Sequence, residues 1–168
     1  MEIRIAGTVE DSIVDGPGLR FVVFVQGCPH RCEGCHNPET HDFSGGRLTD
    51  TDLLYEQCME NPLCSGVTFS GGEPFCQAAA LYDLGSRLKA AGKHLMCYSG
   101  WTYEELADRA KTDRPTADLL SILDVLVDGR FDISKRSLSL QFRGSGNQRL
   151  INVQQSLEQG CAVEYETL

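Results

Sequence analysis

An α/β architecture, with a parallel sheet that closes only part of the way into an open β/α barrel, follows from three observations in the amino-acid sequence. Apolar, strand-like runs alternate with amphipathic, helix-like ones from residue 19 to residue 131, the pattern that builds right-handed βαβ units. The run LRFVVFVQ at 19–26 is almost continuously apolar and rich in β-branched residues, as in a strand buried on both faces. At 168 residues the chain is too short for a complete eightfold barrel, which takes about 250. It suits one domain, 1–168, with one core.

The elements follow in order. EIRIAGT at 2–8 alternates and reads as a short strand, and 19–26 is the buried strand. After a loop rich in Gly, Pro, His and Cys, TDTDLLYEQCME at 49–60 opens with Thr49 three residues before Asp52, close to a capping box, and continues as a helix. GVTFS at 66–70 is a strand stopped by Gly71 and Gly72. The helix expected at 77–91 carries Leu81, Leu84, Leu88 and Ala91 along one face, and Gly92 sits where a helix-ending glycine belongs. HLMCY at 94–98 is a strand, 103–111 a helix, 118–123 a helical turn and DVLV at 124–127 another strand. Beyond Phe131 the pattern weakens into a polar, Gly-rich stretch, with short strands expected at 149–153 and 162–165. No repeat, low-complexity tract or linker divides the chain.

Composition narrows the function. With 41% hydrophobic and 23% charged residues, the chain is neither disordered nor collagen-like. A formal charge of −9 argues against nucleic acid or an anionic membrane as a main partner, because both reward clustered Lys and Arg. Residues 1–10 carry no apolar leader core and no stretch reaches the length of a membrane span, so the expected setting is the reducing cytoplasm. There, cysteines serve more often as metal ligands, redox groups or small hydrophobes than as disulfide halves. Of the eight cysteines, Cys28, Cys32 and Cys35 fall together, whereas Cys58, Cys64, Cys76, Cys97 and Cys161 are scattered. Cys58, in a helix, and Cys97, inside a buried strand, read as core residues.

The C-x3-C-x2-C spacing of Cys28, Cys32 and Cys35 lets three thiolates converge on one centre, which suits an iron–sulfur cluster with one iron left open or a zinc ion. For zinc, His30, His36 or His41 would complete a Cys3His tetrahedron. A second motif, Ser70-Gly71-Gly72-Glu73-Pro74, stands at the C-terminal end of an expected parallel strand, where ligands collect in α/β folds. Its glycines permit close backbone approach and Glu73 can take a positively charged amine, although a plain tight turn explains Gly-Gly as well.

Clumped cysteines followed by a GGEP turn at the end of the next strand resemble radical S-adenosylmethionine enzymes. The resemblance runs from about residue 5 to about 153 and sharpens at Asp15–Arg20 (DGPGLR), Cys32–Asn37 (CEGCHN), Tyr98–Trp101 (YSGW), Val127–Phe131 (VDGRF) and Phe142–Arg149 (FRGSGNQR). These segments are similar to the branch that activates anaerobic (class III) ribonucleotide reductase. The resemblance implies a [4Fe-4S] cluster on Cys28, Cys32 and Cys35 whose open iron chelates S-adenosylmethionine, and reductive cleavage to a 5′-deoxyadenosyl radical. That radical takes hydrogen from a glycine of the large reductase subunit, with an electron donor such as a flavodoxin.

By position, the resemblance assigns Ser70, Gly71, Gly72 and neighbouring backbone to the methionine amine, with Glu73 orienting it. Gly34, Cys35 and His36 fall where adenine contacts are made; Gly34 replaces the aromatic residue common before the third cysteine. Arg130 is assigned to the cofactor carboxylate, Asp128 to orienting the site or binding a cation, and Ser99 and Tyr98 to the same rim. The Asp15–Arg20 turn and the Phe142–Arg149 segment are expected to face the protein substrate. Three alternatives stay open: an activase of another glycyl radical enzyme, a deazapurine-forming radical enzyme, and a zinc-stapled binding module.

Overall fold

A single mixed sheet carries the chain. In the computed structural model, which describes residues 1–168, the strands are β1 (Glu2–Ser12), β2 (Arg20–Val25), β3 (Arg47–Asp50), β4 (Gly66–Gly71), β5 (His94–Ser99), β6 (Val125–Asp128) and β7 (Arg149–Asn152). Their order is β3-β1-β2-β4-β5-β6-β7. The inner strands β2, β4, β5 and β6 are parallel, as the strand–helix alternation requires. The all-parallel expectation fails at both edges, where β3 and β1 pair antiparallel, β1 meets β2 antiparallel, and β7 returns antiparallel to β6. Those connections lack a crossover helix, and an antiparallel neighbour needs none.

The helices are α1 (Thr51–Glu60), α2 (Ala78–Ala90), α3 (Tyr103–Ala110), α4 (Arg114–Ile122) and α5 (Val153–Gln159). Strand alternation sends Phe21, Val23, Val25, Val67, Phe69, Leu95 and Leu126 to the helical side, where they join Leu81, Leu84, Leu88, Leu106 and Leu119 in a 26-residue core. Met96, Val125, Val127 and Leu150 form a separate cluster on the opposite face, covered by Tyr98, Phe142, Tyr165 and Leu168. β5 and β6 are therefore covered on both faces, and β2, buried at every position but Phe24, reads as a continuous apolar run.

Local chemistry sets the ends. Asp50, not Thr49, caps α1 by accepting from the Asp52 amide, because residues 47–50 are taken up by β3. Gly92, at φ +82°, closes α2: its amide bonds Lys89 at 2.9 Å while the Lys93 amide reaches Leu88 at 3.0 Å, the paired pattern of a Schellman motif. The helical turn expected at 118–123 is the longer α4, started by an Asp113 cap. The strand expected at 162–165 is one isolated bridge between Ile151 and Glu164, and α5 precedes it.

Arg20 lies 1% exposed at the foot of the sheet. Its guanidinium donates to the Thr68 hydroxyl (2.8 Å) and to the carbonyls of Pro17 (3.0 Å), Val67 (2.8 Å) and His94 (3.1 Å). Burial lowers its pKa to about 10. The Asp15 carbonyl accepts from Thr68, so the Asp15–Gly18 turn folds back against the strands and Arg20 ties it there.

Candidate functional site

The four parallel strands end on one edge, and the turns leaving them meet there. The backbone after β2 and the turn after β4 are joined directly: the Gly72 amide bonds the Val25 carbonyl and the Glu73 amide bonds the Gly27 carbonyl, both at 2.8 Å. A side chain at Gly72 would strike the Gly27 carbonyl, and a Cβ at Gly71 would stand 2.7 Å from backbone atoms of Val25. The two glycines are thus required by close backbone packing, whatever else they do. A pocket of about 110 Å³ opens at this edge, and Cys28, Cys32, Cys35, Gly71, Gly72 and Ser99 share its wall.

Beneath the pocket, Glu73 is enclosed. Its Oε1 accepts from the Ser99 hydroxyl (2.8 Å) and the Phe75 amide (3.1 Å), and its Oε2 from His30 Nε2 (2.8 Å) and the Gly100 amide (2.8 Å). Four protein donors satisfy both oxygens, and the side chain is 0% exposed. Glu73 therefore fixes the exits of β4 and β5 and the cysteine loop relative to one another. Contact with an amine, expected from the sequence, is not what this geometry provides.

The cysteine loop, residues 26–37, has no regular secondary structure. Cys28 is buried, and burial raises its thiol pKa, an effect partly offset by the nearby backbone of His30 and Arg31. The Asn37 amide donates to Cys35 Sγ at 3.4 Å. No three His, Cys, Asp or Glu side chains stand together as for a single metal ion. Three thiols on one pocket wall, with Cys35 met by a backbone N–H, fit a multi-iron cluster, since hydrogen bonds to sulfur are part of how such clusters are held.

Comparison with known proteins agrees with this chemistry. A family described as "4Fe-4S single cluster domain" matches residues 14–151. An anaerobic ribonucleoside-triphosphate reductase-activating protein of Vibrio cholerae is 35% identical over 150 residues, 81% of this chain and 89% of the relative. The chain belongs to this family of activating proteins. Another member, from Enterobacteria phage T4, is 32% identical over 143 residues, covering 82% of this chain and 86% of its own. A pyruvate formate-lyase-activating enzyme of Clostridium pasteurianum is 41% identical over 112 residues, 61% of this chain and 47% of that one. Among solved structures, QueE from Escherichia coli superposes with a TM-score of 0.50 at 17% identity over 60% of this chain and 54% of that one, a likeness of fold.

Set against the positions that the family resemblance marks, the structure gathers some residues and separates others. Cys28, Cys32, Cys35, Gly71, Gly72, Tyr98 and Ser99 face the pocket. Ser70 pairs with Phe24 on the neighbouring strand, partly exposed. Gly34, at φ +74°, packs on Phe131 and Ile133, and the His36 ring leans on Phe131 with centroids 5.2 Å apart. Asp128 and Arg130 are not on the pocket wall. Asp128 accepts from the Tyr103 amide at 2.7 Å and from Arg149 at 2.5 Å, while Arg149 also binds Glu104 at 2.6 Å. That bridge raises the Arg149 pKa and lowers that of Glu104. Arg130 is exposed and stands 3.9 Å from Glu105, off the pocket wall.

Gly100, Gly129, Phe131 and Gln148 also line the pocket and were not singled out for it in the sequence. Gln148 donates to the Gly129 carbonyl at 3.0 Å and accepts from the Gly144 amide at 2.8 Å, which binds the 142–149 segment to the end of β6. The usable signal was the FRGSGNQR string, with polar side chains between turn-forming glycines.

Proposed function

We propose that this chain generates a glycyl radical on the large subunit of an anaerobic ribonucleotide reductase, using a [4Fe-4S] cluster on Cys28, Cys32 and Cys35 and S-adenosylmethionine bound on the same rim. The observation that carries the reading is that all three cysteines share one pocket wall with the Gly71-Gly72 turn at the C-terminal edge of parallel strands. When bound, the cluster and S-adenosylmethionine supply a reductive cleavage whose 5′-deoxyadenosyl radical removes hydrogen from a glycine Cα.

The chain's own residues hold that chemistry in place. Gly71 and Gly72 present bare backbone to the methionine end, Ser99 and Tyr98 bound the same side, and Glu73 keeps the turns in register from below. The backbone around Gly34, Cys35 and His36 serves the adenine. Asp128 orients the rim through Tyr103 and Arg149, and Arg130 reaches the cofactor carboxylate only by leaving Glu105. The parallel strands are read as part of an incomplete barrel whose inner face, under Phe142 and the Asp15–Gly18 turn, receives the glycine loop. Residues 1–168 are read as one domain, which the single seven-stranded sheet supports. All eight cysteines are free, which suits a reducing cytoplasm and an electron donor such as a flavodoxin. No helix is long and apolar enough to cross a membrane.

Anaerobic reconstitution with iron and sulfide tests the reading. A brown, reducible protein whose spectrum changes with S-adenosylmethionine supports it; a colourless protein holding one zinc ion refutes it. The similarity to pyruvate formate-lyase activases favours a second reading, another glycyl radical enzyme as substrate, and a radical formed on that enzyme and not on the reductase would select it.

A further inference from the structure

Between Cys28 and Cys35 the loop is tied down sparsely. Within residues 29–33 one side-chain hydrogen bond exists, from His30 Nε2 to Glu73 Oε2 at 2.8 Å, and the local backbone contributes one turn bond, Cys35 to Cys32. The His30 ring is nevertheless 4% exposed and set in a fitted recess. Its flat side lies on Gly100, where a Cβ would stand 2.6 Å from Nε2 and 2.8 Å from Cγ. Trp101 meets its edge with centroids 4.7 Å apart, and Arg109 covers Trp101 at 4.1 Å. Gly100 has an ordinary backbone angle, so its lack of a side chain answers to the ring and not to a turn.

His30 stands between Cys28 and Cys32 in the chain, next to Arg31, which holds the uncommon φ of +49°. We infer that His30 is a positioning residue for the cluster: clamped by Glu73, Gly100 and Trp101, it anchors the segment between Cys28 and Cys32 and so fixes the spacing of those two ligands. A solvent-facing loop residue would need neither the recess nor the carboxylate. Nothing in this role requires a change of protonation, since an Nε2–H donating to the Glu73 carboxylate suffices. The inference rests on the cluster-binding reading above.

The test is made on the full chain, reconstituted anaerobically without S-adenosylmethionine or reductase, by timing iron loss to a chelator and recording the reduced cluster's paramagnetic spectrum. His30→Phe keeps a ring in the recess and removes the hydrogen bond; it is expected to lose iron about 10-fold faster and to shift the spectrum, as for partners that orient metal ligands. His30→Gln, which restores an N–H to Glu73, is expected to recover most of the wild-type behaviour. Gly100→Ala, which pushes the ring out with His30 intact, should behave like His30→Phe. Melting of the apo chains identifies any variant that fails to fold; if His30→Phe does, the Gln and Ala variants decide. Wild-type iron retention and an unchanged spectrum in folded His30→Phe or Gly100→Ala overturn the inference, as does cluster loss in folded His30→Gln. A wild-type chain that takes up no cluster refutes the functional reading itself.

Discussion

Replacing Glu73 with glutamine separates a residue that holds the protein together from one that only touches a ligand. The carboxylate accepts four hydrogen bonds from within the chain. A glutamine has one oxygen, and its NH2 must face the other pair of donors. With oxygen toward Ser99 and Phe75, the His30 ring can change tautomer and accept, but the Gly100 amide has no acceptor. With oxygen toward His30 and Gly100, the Ser99 hydroxyl can turn and accept, but the Phe75 amide is stranded. Either way one backbone N–H is left unpaired in a closed site, at about 1–3 kcal/mol. At 2–4 °C per kcal/mol for a chain of this size, apo Glu73→Gln is expected to melt about 2–12 °C below wild type. Differential scanning calorimetry of the metal-free proteins at neutral pH measures this. A melting temperature within about 1 °C of wild type would refute the reasoning and return Glu73 to a ligand-facing role.

Other consequences are checked as directly. Cys28→Ala, Cys32→Ala and Cys35→Ala are each expected to abolish cluster binding, while Cys58→Ala, on the buried face of α1, spares it at a modest cost in stability; iron and sulfide analysis distinguishes the two groups. In the apo chain at pH 8, iodoacetamide mapped by peptide mass spectrometry should label Cys32 and Cys35 and leave Cys97 and Cys58 unmodified, since burial drives the Cys97 thiol well up and that of Cys58 to about 12. Cys76 is exposed, but burial of its sulfur lifts its pKa to about 11, so about one part in a thousand is thiolate at pH 8 and its labelling should climb roughly tenfold per pH unit toward 11. Gly92→Ala meets no atom within 4 Å yet must hold φ +82°, so about 1 kcal/mol of destabilisation, 2–4 °C in melting, is expected from strain alone.

What the sequence made legible was local. The parallel strands follow from short, largely apolar runs and α2 from a hydrophobic period of 3.6, and three cysteines within eight residues need no tertiary information to be recognised as a group. β3 was hidden because RLTD is short, half-exposed and runs into the start of α1. α5 has no apolar stripe; its marks were the Asn152 cap and Gly160 at φ +73°. The edges of the sheet are antiparallel for reasons of pairing that no local pattern encodes. At the site, the partners of Glu73 lie 26 and 43 residues away, so its enclosure could not be read from the GGE string. Arg130, next but one to Asp128, looked like its natural companion, yet the strand pairing places Arg149 opposite Asp128 and turns Arg130 to solvent.

The most direct test of the account joins the reconstituted chain, a one-electron reductant, S-adenosylmethionine and the large subunit of the anaerobic reductase, and reads the mixture by electron paramagnetic resonance. The doublet of a glycyl radical on the reductase is expected, and is absent when Cys28→Ala replaces the wild-type chain. A reduced cluster that cleaves S-adenosylmethionine while the reductase stays silent would contradict it.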